Sequence, residues 1–104
     1  MPREVTVSPA AGQGMRDARR RFAHPGAGPV AKASWRRLLG IRKRIQAAPC
    51  TYLPSPAHPG CRHMICEGYF ILYEVVPDTG DNATAGDVQI LAVFPPGTGK
   101  RERP

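Results

Sequence analysis

The stretch from Gly60 to Val76, GCRHMICEGYFILYEVV, holds most of the strand-forming residues of the chain, so its fold sets the task of everything else. Gly68 divides it. Arg62 to Glu67 precede the glycine; Tyr69 to Val76 follow it, rich in the aromatic and β-branched side chains that suit a pleated, half-buried surface. Glu67-Gly68 then reads as a tight hairpin turn in which glycine supplies a positive φ. Side chains alternate along a strand, so Phe70, Leu72 and Val76 share one face while Tyr69, Ile71, Tyr73 and Val75 share the other. Both faces are apolar. Such a strand belongs inside a sheet, covered by helices on at least one side and screened by aromatic side chains on the other.

The rest of the chain supplies that cover. Val5-Thr6-Val7 ahead of Ser8-Pro9 reads as a short first strand stopped by proline. From Ala10 to Phe22, Met15, Ala18 and Phe22 recur at helical spacing, with Gly12 and Gly14 weakening the first turn by about 1 kcal/mol each relative to alanine. His24 to Pro29, HPGAGP, breaks the pattern. A second helix is predicted from Val30 to Ala48 and ended by Pro49. Its residues Trp35, Leu38, Ile41 and Ile45 face the sheet, and Lys32, Arg36, Arg37, Lys43 and Arg44 lie opposite. Cys50 to His58 is a proline-interrupted connection, Pro77 to Gly86 a polar loop, and Asp87 to Phe94 a last strand stopped by Pro95-Pro96. The expected fold class is α+β: a small twisted antiparallel sheet in β-α-α-β-β-β order with two helices packed on one side. Residues 1–94 would form the domain, and 95–104 a basic, flexible tail.

A chain of 104 residues makes one domain with a small core. Its 15 Lys+Arg against 8 Asp+Glu, a net charge of +7, favour an acidic partner. Between Arg16 and Arg44 the only acid is Asp17. Phe22 and Trp35 fall on the apolar faces of their helices, leaving no aromatic residues among the cations to stack on bases, which tilts the reading towards a protein partner. Cysteines 50, 61 and 66 are too few, and odd in number, for a disulfide framework, which points to a reducing cytoplasm. No apolar stretch approaches the roughly 20 residues that span a bilayer, and the first residues lack a signal peptide's apolar core, so no membrane partner is expected.

The pattern G-x-R-x5-G-Y-x-I-L-Y from Gly60 to Tyr73, preceded by Pro59, resembles a motif of the RelE/ParE family of bacterial type II toxins. The expected order of elements from about Val5 to Val93 resembles that family too. The resemblance implies the toxin of a toxin–antitoxin (plasmid stabilisation) system, without cofactor, bound by a cognate antitoxin. Two departures stand out: the first helix is richer in arginine than is usual there, and Pro95-Pro96 stand where many members carry a His-Gly and a nearby arginine.

For the RelE branch the resemblance implies cleavage of mRNA on the ribosome by lysines, arginines and a tyrosine without metal. Arg62, Tyr73, Lys100 and Arg101 are the candidates here, with Arg103 beside them in the tail. Tyr73 reads more simply as a core aromatic, and Arg62 equally well as a salt-bridge partner of Glu74 or of an antitoxin. The alternation of Gln89, Leu91 and Val93 with Val88, Ile90 and Ala92 gives the last strand no acid–base group, which favours the ParE branch, whose members poison DNA gyrase. Contacts to antitoxin or target are expected at Arg36, Arg37, Arg62, Lys100, Arg101 and Arg103. A non-toxic basic nucleic-acid-binding protein is the remaining alternative.

Two other constellations invite a site and do not make one. His58, Cys61, His63 and Cys66 are zinc-ligand types, but on a strand His63 and Cys66 point to opposite faces, so no metal site is expected. Pro95 to Lys100, PPGTGK, is like a phosphate loop, yet Phe94 stands where its first glycine belongs and Arg101 where its hydroxyl belongs, so no nucleotide is expected.

Overall fold

The computed structural model describes residues 3–97. Its elements in chain order are β1 (Val5–Val7), α1 (Pro9–Phe22), α2 (Pro29–Leu39), α3 (Ile41–Ala47), β2 (Leu53–Pro54), β3 (Arg62–Cys66), β4 (Tyr69–Val76) and β5 (Asp87–Phe94). The strands form one sheet in the order β1-β5-β4-β3-β2. β4 is central, as its composition requires. The β3–β4 hairpin closes at Cys66 and Tyr69, with Glu67 at φ 53° and Gly68 at φ 81°. A two-residue turn with both φ values positive matches the twist of the strands it joins.

Three expectations need correction. The sheet is mixed, because β1 runs parallel to β5, with Val5, Thr6 and Val7 beside Val88, Gln89 and Ile90. Its partner β5 is reached only after three helices and the β3–β4 hairpin, so no tight turn forces the two strands antiparallel. The predicted helix from Val30 to Ala48 is two helices, because Gly40 ends α2 by donating its N–H to the Arg36 and Arg37 carbonyls and caps α3 without a side chain. Glycine lowers helix stability by about 1 kcal/mol, enough to place the bend there. The connection after Cys50 holds a two-residue strand, β2, pairing Leu53 with His63 and Pro54 with Arg62.

Ser8 starts α1 by accepting from the Ala11 N–H at 3.1 Å, while its hydroxyl donates to the Leu91 carbonyl at 2.7 Å. One residue thus caps a helix and ties it to β5. The helices cover the sheet face that carries Met64, Cys66, Tyr69, Ile71, Tyr73, Val75, Val88, Ile90 and Val93; Ala11, Ala18, Leu38, Ile41 and Ile45 pack against it. Gly14 makes α1 fit closely, since a Cβ there would lie 2.3 Å from the Val93 carbonyl oxygen. On the other face, Phe70 is fully buried with its ring stacked on His63 at 4.7 Å and tilted against Phe94 at 6.1 Å. The aromatic screen expected for that face is therefore partly an imidazole. No described helix is long and apolar enough to cross a membrane.

Candidate functional site

β3 alternates, so Arg62 shares the helix-covered side with Met64 and Cys66 while His63 faces the opposite side. Arg62 is 15% exposed and grips Asp78 from the loop after β4, with Nε to Oδ2 at 2.7 Å and Nη2 to Oδ1 at 3.0 Å. Its remaining amine, Nη1, donates to the Tyr52 carbonyl at 2.8 Å. The ion pair expected with Glu74 is thus made with Asp78. The bonds from Arg62 hold the Asp78 carboxyl below its usual range.

Tyr73, beside Arg62 across the hairpin, is fully buried and donates its hydroxyl to the Pro49 carbonyl at 2.6 Å. Burial pushes the phenol well above its ordinary value. A phenol so placed closes the gap between β4 and the end of α3, and its proton is committed to that bond. Arg37 makes a second fork, to Glu67 of the hairpin turn, at 2.8 and 2.9 Å. Arg36 is exposed on α2. Of the sequence candidates, Arg62 and Tyr73 are brought together, Arg36 and Arg37 lie on α2, and Lys100, Arg101 and Arg103 lie outside the described residues, as does most of the tail expected at 95–104. His63 and Cys66 fall on opposite faces, Cys66 in the core with Arg44 Nη2 at 3.1 Å from its sulfur.

A surface feature escaped the sequence reading. β1 forms one edge of the sheet. Val88 donates its N–H to the Glu4 carbonyl and Ser8 donates to the Ile90 carbonyl, both at 2.9 Å, so residues 4, 6 and 8 turn their backbone groups inward and Val5 and Val7 turn theirs outward. Arg42 Nη2 covers the Val5 carbonyl at 2.8 Å. Beside this edge runs a mainly apolar groove of about 320 Å³ lined by Val7, Met15, Leu39, Ile41, Ile90 and Val93, with Arg42 at its rim. Val7 is 41% and Leu39 53% exposed. Leu38 turns into the core, and its neighbour Leu39, about 100° further round the same helix, is left at the surface beside the groove. Leu38-Leu39-Gly40-Ile41 carried that signal, since three large apolar residues around a breaker cannot all face inward.

No protein-family profile matches the sequence, and no curated protein matches it. Among solved structures, the chain is similar to a chain of the chromosomal ParDE TA system from P. aeruginosa, with a TM-score of 0.61 and 15% sequence identity, covering 90% of this chain and 96% of that one. At that identity the likeness is one of fold, and it extends over nearly the whole of both chains.

Proposed function

We propose that this chain is the toxin of a toxin–antitoxin pair, of the ParE kind, arresting growth through DNA gyrase and neutralised by a cognate antitoxin. What supports the reading is the ParDE-like fold combined with the fate of the two candidate catalysts. Arg62 is spent on Asp78 and the Tyr52 carbonyl, and Tyr73 is buried under the helices. Neither group faces the helix-free side of the sheet, where His63 and Phe94 each pack on Phe70. A ribonuclease needs several acid–base and charge-stabilising groups within reach of one phosphate. The antitoxin is proposed to dock at the β1 edge, adding an extended segment to the outward groups of Val7 and placing apolar side chains in the groove beneath Leu39. Arg36 on α2 and the tail bases Lys100, Arg101 and Arg103 are proposed as further contacts to antitoxin or target.

Induction of the chain in a bacterial host, alone and with the protein of the adjoining reading frame, tests this. The expected result is growth arrest with DNA damage, intact bulk mRNA and relief by the neighbour. Cleavage of translated messages within minutes of induction would instead establish the ribosome-dependent endoribonuclease. Unaltered growth from folded protein would leave the non-toxic nucleic-acid-binding reading.

A further inference from the structure

α1 carries a cluster of cations that neither the groove nor the core uses. Arg16, Arg19 and Arg20 are exposed and surround a cleft of about 560 Å³ floored by Ala23, His24 and Pro25. The row is partly pre-ordered. Arg16 donates to Gln13 Oε1 at 3.0 Å, Gln13 donates to Asp17 Oδ1 at 2.9 Å, and Arg20 pairs with the same carboxylate. Asp17 offsets Arg20, which leaves Arg16 and Arg19 as the uncompensated charges of the row. Arg21 lies elsewhere, its guanidinium 5.5 Å from the Phe22 ring centre.

We propose that this cleft binds the phosphodiester backbone of duplex DNA. The inference does not depend on the toxin reading. All three cations are arginine, whose planar fork fits two oxygens of one phosphate. Along a helix, four residues advance about 6 Å, while successive phosphates of one DNA strand rise about 3.4 Å along the axis and are set further apart by the winding of the backbone, so the row is long enough to reach two neighbouring phosphates. No Phe, Tyr or Trp lines the cleft, which leaves His24 as its one aromatic ring, fewer platforms than a groove for successive unpaired bases offers, and this favours duplex over single strand. Its floor holds only small or short side chains, without the deep apolar anchor pockets that protein partners occupy; those lie in the separate groove at β1.

The test is anisotropy of a labelled 20-base-pair duplex titrated with the whole chain between 50 and 200 mM salt. The double variant R16Q/R19Q should flatten the slope of log K against log salt by about 1.8, so that its binding advantage at low salt shrinks about tenfold relative to the parent. The control K32Q/K43Q removes the same charge from exposed positions of α2 and α3 and should change the slope by less than about 0.5. Equal flattening by both variants would overturn the proposal in favour of diffuse attraction by net charge. Tighter binding of a single strand of the same length would overturn it, as would displacement of the duplex by polyglutamate at equal charge concentration, which would assign the cleft to an acidic protein. Circular dichroism of each variant checks folding, and these exposed side chains lie off the core-facing side of their helices.

Discussion

Arg62 and Asp78 are joined by two bonds, Nε to Oδ2 at 2.7 Å and Nη2 to Oδ1 at 3.0 Å, and this fork fastens the loop after β4 to the start of β3. The same guanidinium holds the Tyr52 carbonyl, so three separate segments meet on one side chain. Arg62→Ala is expected to destabilise the fold by about 2–4 kcal/mol, because it leaves Asp78 and a part-buried carbonyl without their donor. Arg62→Lys should recover less than half, since an ammonium cannot span both carboxylate oxygens. Urea unfolding of the three proteins measures both, and a loss under about 0.5 kcal/mol for alanine would show that the fork is ornamental.

Acid should weaken the fold. Hydrogen bonds from Arg37 and then Ser34 hold the Glu67 carboxyl down to about 2 from an ordinary 4.5, and bonds from Arg62 lower Asp78 in the same direction. A carboxyl depressed in the folded state stabilises above its unfolded pKa and loses that contribution as pH falls through the folded one. The melting temperature should therefore drop between pH 4.5 and about 2, and the drop should be shallower in Glu67→Gln. Parallel curves for the two proteins would remove Glu67 from the account.

Gly14→Ala sets two effects against each other. Helix propensity alone predicts a gain of about 1 kcal/mol. The added Cβ would lie 2.3 Å from the Val93 carbonyl oxygen and 2.9 Å from its Cβ, and backbone cannot swing aside as a side-chain tip can. Overpacking of this kind costs about 1–3 kcal/mol, so a net loss of stability is expected by thermal denaturation. A gain would show that α1 sits further from β5.

The central hairpin was legible because composition and period agree: Tyr69, Ile71, Tyr73 and Val75 do face the helices, and Glu67-Gly68 is the turn. β1 was legible as a strand but its direction was not, since three residues carry no information on which way their partner runs. The bend at Gly40 was missed because Ile41 and Ile45 continue the helical spacing of Trp35 and Leu38, which makes two short helices look like one in projection. Asp78 was missed as the partner of Arg62 because it lies in a turn-rich loop, where pairing depends on the path of the backbone and no period constrains it. Glu74, the expected partner, is on β4 next to Tyr73, and β4 alternation turns it to the face opposite Arg62.

The β1 edge can be tested without disturbing the sheet. Thr6 supplies the inward backbone groups, so Val7→Pro removes an outward N–H and costs no bond to β5. Leu39→Asp places a charge in the neighbouring groove, on a side chain that is already 53% exposed and contributes little to the core. Both variants are expected to fold, with melting temperatures close to the parent, and both should lose the partner of the adjoining reading frame by at least about tenfold in affinity, roughly 1.4 kcal/mol. The two report different parts of the contact: the proline blocks strand addition, and the aspartate blocks apolar side chains in the groove. Loss with Leu39→Asp alone would mean that the partner lies across the groove as a helix. Unchanged capture by both folded variants, measured by calorimetry with the co-expressed protein, would move the interface away from β1 altogether.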